Sequence, residues 1–185
     1  MSKILVDTID TRSGTSTLTL GSSNAGTIAL GSGDVQSNFL YPAFEAYLSA
    51  DQSISDNTNT KIQFNTERFD TNNNYDNSTN YRFTPQTAGK YFVYSQVEFA
   101  LNDYDIYVSE LTLAKNGSNH TSTFNVIGDG ASLVNTVGVT SVVTFNGSSD
   151  YVEMFGKIEK HGSSNNRFDA GNTAASYFGA FRIGT

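Results

Sequence analysis

Apolar and polar positions alternate through most of residues 39–185. Tyr91, Val93, Ser95, Val97, Phe99 and Leu101 share one parity, and Phe92, Tyr94, Gln96, Glu98 and Ala100 take the other. A strand turns successive side chains to opposite faces, so this run predicts a strand with one face in a core. Residues 107–115 are apolar-rich and stop at Asn116-Gly117, a dipeptide suited to a tight hairpin turn. Val137, Val139, Ser141, Val143 and Phe145 alternate up to a second such pair, Asn146-Gly147. Val152, Met154 and Ile158 follow Asp150 with the same parity, and residues 176–183 make an aromatic strand at the C-terminus. Strands at this spacing with turn signals between them predict a sandwich or barrel. Residues 40–50 fit two periods. Leu40, Phe44, Tyr47 and Leu48 would share a helical face, whereas Phe44, Ala46, Leu48 and Ala50 would share a strand face.

Residues 1–38 have a different texture. No aromatic residue precedes Phe39. Thr17-Leu18-Thr19-Leu20-Gly21 recurs ten residues later as Thr27-Ile28-Ala29-Leu30-Gly31. Each copy alternates and then breaks at Gly, as a short strand and turn would. Ile4, Val6 and Ile9 form a weaker third cluster. A segment so poor in large side chains builds no core of its own. It reads either as a linker or as a stem in which identical chains cover one another's Leu and Ile.

Composition narrows the function classes. With 185 residues the chain is one domain plus an appendage. It has no Cys and only two His, which excludes a disulfide scaffold, a thiolate metal site and a cysteine nucleophile. Eleven Lys and Arg against 18 Asp and Glu give a net charge of −7, which repels a phosphate backbone, so no nucleic-acid partner is expected. No apolar run approaches the roughly 18 residues of a membrane-spanning helix, so no membrane insertion is expected. The N-terminal residues 1–7 lack the apolar run of about 7–15 that a secretion signal needs. The expectation is synthesis in a cytoplasm, with any extracellular role reached as part of a particle released by lysis.

Residues 42–185 resemble the C1q/TNF-like jelly-roll domain. Phe64, Asp70 and Tyr75 stand at that family's spacing, Phe83 comes one residue late, and Gly89-Lys90-Tyr91-Phe92-Val93-Tyr94-Ser95 matches its Gly-x-Tyr-x-Phe-x-aromatic run, with Val93 for Phe and Ser95 for the last aromatic. Residues 44–50 resemble the family's first strand, Ser149-Asp150-Tyr151-Val152 its Gly-Asp-x-Val turn, and Ser176-Tyr177-Phe178-Gly179-Ala180-Phe181 its terminal strand. The resemblance implies an all-β, ten-stranded jelly roll that packs as a homotrimer, with residues 40–50 as a strand. Abundant Phe and Tyr, 13 and 10, suit a subunit interface. Residues 4–11, together with the repeats, resemble the N-terminal segments of bacteriophage fibre proteins, especially those of phages of marine bacteria. There a short stem precedes a trimeric knob. These likenesses imply a tail or head fibre protein of a virion. Residues 1–38 (Ile4, Val6, Ile9, Leu18, Leu20, Ile28 and Leu30) would attach to other virion proteins, and residues 39–185 would form a knob that meets a host-surface glycan or protein. The alternatives are a capsid or neck decoration fibre with a purely structural role, and a cellular C1q-like adhesion or lectin module.

Candidate chemistry is sparse. No Gly-x-Ser-x-Gly, phosphate loop or dinucleotide fingerprint is present. Asp150 and Glu153 fall on opposite faces of a strand and read as a solvated edge and turn, so a glycan-degrading acid pair is disfavoured and no enzyme activity or cofactor is expected. Asp103 and Asp105 flank Tyr104 and are the one weak candidate for Ca²⁺. The polar loops 70–81, 102–105, 116–121 and 161–172 contain the residues expected to face a receptor: Asn73, Tyr75, Asn77, Tyr104, His120, His161 and Arg167. Tyr75 among so many Asn is good chemistry for sugars, although its spacing equally suits a core aromatic.

Overall fold

The computed structural model describes residues 42–102, 106–128, 133–160, 165–171 and 174–184. All belong to Asn38–Thr185, the second of two units into which the chain divides. The aliphatic positions and repeats of residues 1–38, the Asp103–Tyr104–Asp105 group and His161 lie outside the described residues.

The described residues form thirteen strands: β1 Ala43–Tyr47, β2 Gln52–Ile54, β3 Thr60–Lys61, β4 Thr66–Asp70, β5 Tyr75–Asp76, β6 Arg82–Phe83, β7 Gly89–Leu101, β8 Ile106–Lys115, β9 Ser118–Val126, β10 Val134–Phe145, β11 Val152–Lys160, β12 Asn166–Asp169 and β13 Tyr177–Gly184. Pieces of two or three residues at β2, β3, β5 and β6 make the strands more finely divided than the ten the resemblance implies. The strands make two antiparallel sheets. In the first, β7 is central: β10 pairs along one side, β13 and β12 along the other. β13 continues to β1 and then β4, and β12 continues to β2. The second sheet runs β5-β6-β11-β8-β9, with β3 also on β11.

Alternation decides what lies between the sheets. Tyr91, Val93, Ser95, Val97, Phe99 and Leu101 are all buried, as are Val137, Val139, Val143 and Phe145 of β10. Leu111, Leu113, Val152, Met154 and Ile158 meet them from the second sheet. At one end Phe44 stacks on Tyr75 and Phe83 with ring centroids 4.6 and 4.4 Å apart, and Phe178 meets it edge-on at 5.0 Å. At the other, Phe99 and Phe168 pack edge-to-face, and a Cβ at Gly156 would sit 2.5 Å from the Phe168 ring.

Residues 43–47 are a strand: Phe44, Ala46 and Leu48 are buried while Glu45 and Tyr47 alternate with them. A helix there would leave the backbone groups of both β13 and β4 without partners. Glu153 departs from its sequence reading. It is buried rather than on a solvated edge, because β11 lies inside its sheet, and Lys61 of β3 pairs with it. His120 lies within β9 and not in a turn: Asn116 and Gly117, both at positive φ (52° and 77°), complete the reversal before it.

Candidate functional site

Carboxylates hold the segment 70–81 in shape. Asp70 ends β4 by accepting the Asn72 and Tyr75 backbone N–H groups at 3.2 and 2.7 Å. Asp76 accepts the backbone N–H groups of Ser78, Thr79 and Asn80 at 3.1, 2.9 and 3.1 Å, and the Asn80 side-chain amide at 2.7 Å. The Thr79 backbone N–H foremost, with the Asn80 and Ser78 donors, holds the Asp76 carboxyl well below the usual carboxylate range despite an opposing effect of burial. Asn74 ties the segment to the next: its backbone carbonyl accepts Thr84 N–H at 2.8 Å and its side chain accepts Gln86 N–H at 3.1 Å. Asn73 and Tyr81 take left-handed backbone conformations, φ 54° and 50°. Asn tolerates that region, and Tyr does so at a cost.

Between this segment, β4 and β6 lies a polar cleft of about 550 Å³, lined by Glu67, Asn73, Asn77, Arg82, Thr84 and Gln86 among others. Burial first, and the Asp70 charge second, raise the Glu67 carboxyl above its ordinary range. The Arg82 guanidinium lies 4.4 Å over the Tyr151 ring. Within the described residues no side-chain hydrogen bond engages Arg82, Asn73, Asn77 or Glu67.

A second surface covers the outer face of the first sheet. The strand registers place Val142, Phe92, Phe181 and Ala43 in one cross-strand row, and Thr140, Tyr94, Gly179 and Glu45 in the next. Phe92 and Phe181 ring centroids are 5.5 Å apart, and Val142 is 51 % exposed. The Tyr94 ring lies over Gly179, where a Cβ would come within 2.4 Å of it, and its hydroxyl donates to Glu45 Oε2 at 2.7 Å. Arg68 of β4 pairs with the same carboxylate and lies 5.4 and 5.8 Å over Tyr47 and Tyr177. A separate apolar strip runs along β9, the outermost strand of the second sheet, where Phe124 and Val126 are 63 % and 60 % exposed.

Solved structures share this arrangement of strands. An Eiger TNF from S. frugiperda matches with a TM-score of 0.56 at 8 % identity, over 78 % of this chain and 93 % of that one. The globular domain of zebrafish complement 1qA matches with a TM-score of 0.56 at 17 % identity, over 77 % and 96 %. Murine APRIL at pH 5.0 matches with a TM-score of 0.55 at 10 % identity, over 76 % and 98 %. The fold is the C1q/TNF-like jelly roll. No protein-family model and no curated protein matches the sequence.

On this jelly roll the receptor-facing candidates separate. Asn73 and Asn77 come together in the cleft. Tyr75 is a core residue and not a contact residue: it is 4 % exposed, stacks on Phe44, and its hydroxyl donates to the Phe64 carbonyl at 3.0 Å. Arg167 is committed within the fold to Asp169 and Asp51, at 2.9 and 3.1 Å, because β12 lies between β7 and β2 and brings those carboxylates alongside. His120 is exposed on β9 with Nε2 3.2 Å from Ser141 Oγ of β10, apart from the cleft. Glu67 and Arg82 escape sequence reasoning because β4 and β6 belong to different sheets that come together only in the folded sandwich, and single charged residues in polar runs give no signal.

Proposed function

We propose that this chain is a homotrimeric fibre protein of a bacteriophage particle. It would be made in the host cytoplasm and carried on the virion. Residues 39–185 form the knob that adsorbs to a host surface, and residues 1–38 join it to other virion proteins. The observation that carries the reading is the presence of two separate apolar surfaces on one subunit, the outer face around Phe92 and Phe181 and the strip at Phe124 and Val126. Surfaces that are distinct associate head to tail, and such contacts end only when a ring closes. Trimers are typical of C1q/TNF-like domains, and three copies on one axis multiply weak contacts with a surface. The likeness of residues 4–11 and of the repeats to phage fibre segments supports the virion assignment.

Native mass measurement of the full chain at micromolar concentration should give three copies. An antibody against residues 39–185 should label purified particles and block their adsorption. A chain lacking residues 1–38 should remain trimeric and fail to incorporate into particles. A stable monomer, or particles without label, overturns the proposal. Labelled particles whose adsorption is unaffected would make the protein a capsid or neck decoration fibre instead.

A further inference from the structure

We infer that the cleft between residues 70–81, β4 and β6 is a binding site for a neutral saccharide. The inference rests on the reading of residues 39–185 as a surface-recognition domain and names the chemistry of its ligand.

A ligand is held by groups that the fold does not use for itself. In this loop the carboxylates of Asp70 and Asp76 are consumed by backbone N–H groups, and Asn74 and Asn80 are consumed in turn. Left at the cleft among the described residues are the Asn73 and Asn77 amides, the Glu67 carboxylate, the Arg82 guanidinium and the Thr84 hydroxyl. An amide both donates and accepts, a carboxylate accepts, and a guanidinium only donates. The matching ligand must therefore donate and accept at closely spaced positions. The neighbouring hydroxyls of a sugar ring do this.

Other classes fit less well. A carboxylate, sulfate or phosphate group only accepts, so it could use Arg82 but would meet Glu67, with Asp70 and Asp76 bordering the same loop. The chain's charge of −7 opposes it further. An apolar peptide anchor needs a greasy slot, and the cleft's lining residues are Glu, Asn, Asp, Ser, Arg, Thr and Gln, with Tyr75 the only aromatic, its ring directed into the core. The size is suitable: ligand sites run to about 300–1,000 Å³, and about 550 Å³ accommodates a short oligosaccharide. The loop's carboxylate-centred turns fix the backbone that carries Asn73 and Asn77 before any ligand arrives, which reduces the ordering cost of binding. Arg82 is positioned too, by its contact over the Tyr151 ring.

The test uses the full-length protein on an immobilised panel of neutral hexose and N-acetylhexosamine oligosaccharides, beside sialylated and sulfated ones. Binding to at least one neutral member is expected, with little change between about 0.05 and 0.5 M salt because no net charge is neutralised. Arg82→Gln and Asn77→Ala should each weaken it by about ten- to a hundredfold, the range expected for losing hydrogen bonds at a charged or desolvated group. Asn73→Gly removes an amide while keeping a residue suited to positive φ, so it should weaken binding with an unchanged melting temperature. The inference is overturned by binding confined to sialylated or sulfated members. It is equally overturned by unaltered affinity in Asn73→Gly and Asn77→Ala, or by no binding to any member. If no sugar binds while the antibody still blocks adsorption, the recognition role stands and only the saccharide assignment fails. If a sugar binds while adsorption is unaffected, the reverse holds.

Discussion

Tyr94 reaches Glu45 across an intervening strand only because the residue between them is Gly179. Any side chain at that position would occupy the space of the phenol ring. Burial gives Tyr75 an equally definite place, since its ring closes the stack with Phe44 and its hydroxyl satisfies the Phe64 carbonyl. Neither fact follows from local sequence. The spacing of Tyr75 suited a core aromatic and its Asn-rich surroundings a contact residue, and three-dimensional packing decided for the core. Parity was more informative where a whole strand has one covered face. Phe99 and Phe145 are 0 % and 1 % exposed, so Phe99→Ala and Phe145→Ala should each lower stability by about 3–5 kcal/mol. Chemical denaturation followed by circular dichroism checks this, and an unaltered midpoint in either variant would contradict the assigned packing.

Among the elements, β13 was legible by its aromatic run, and β7 and β10 were legible because they are long enough to show a period of two. β2, β3, β5 and β6 were not, since two or three residues cannot display one. The Asn-Gly turns were legible because their backbone demands that chemistry. The meeting of Glu67 and Arg82 at one cleft was invisible because their strands lie in different sheets, and that of Arg68 with Glu45 because the two stand 23 residues apart and meet only when β4 pairs with β1. The turn around Asp76 makes a prediction of its own. Its carboxyl is held below the ordinary range in the folded state. The unfolded chain therefore takes up the proton first as pH falls, and stability from this group is present above about pH 4 and lost below it. Asp76→Asn should melt below the wild-type protein at neutral pH, and the gap should narrow as the pH drops from about 4. A gap independent of pH would show that the carboxylate's charge is not what holds the turn.

At the scale of the whole molecule, the aromatic content foreshadowed surface as well as core. Phe92, Tyr94, Tyr177 and Phe181 lie on the outer face of the first sheet, where one subunit leaves them half-covered. Val142 extends that face and is already half-exposed in the single chain, so Val142→Asp should lower subunit stability by only about 1 kcal/mol, the span of strand propensity. Sedimentation should nevertheless shift from the proposed trimer toward monomer, and a trimer unaffected by this change would place the subunit contact elsewhere. The position of β1 has a mechanical consequence. The chain enters this jelly roll at β1, which is not a sheet edge but lies between β13 and β4. Tension applied through the preceding residues is therefore delivered to a strand gripped from both sides. A strand held by two ladders has more hydrogen bonds to break before it comes free than an edge strand has, so a pull on the chain ahead of β1 loads one of the domain's better-anchored strands.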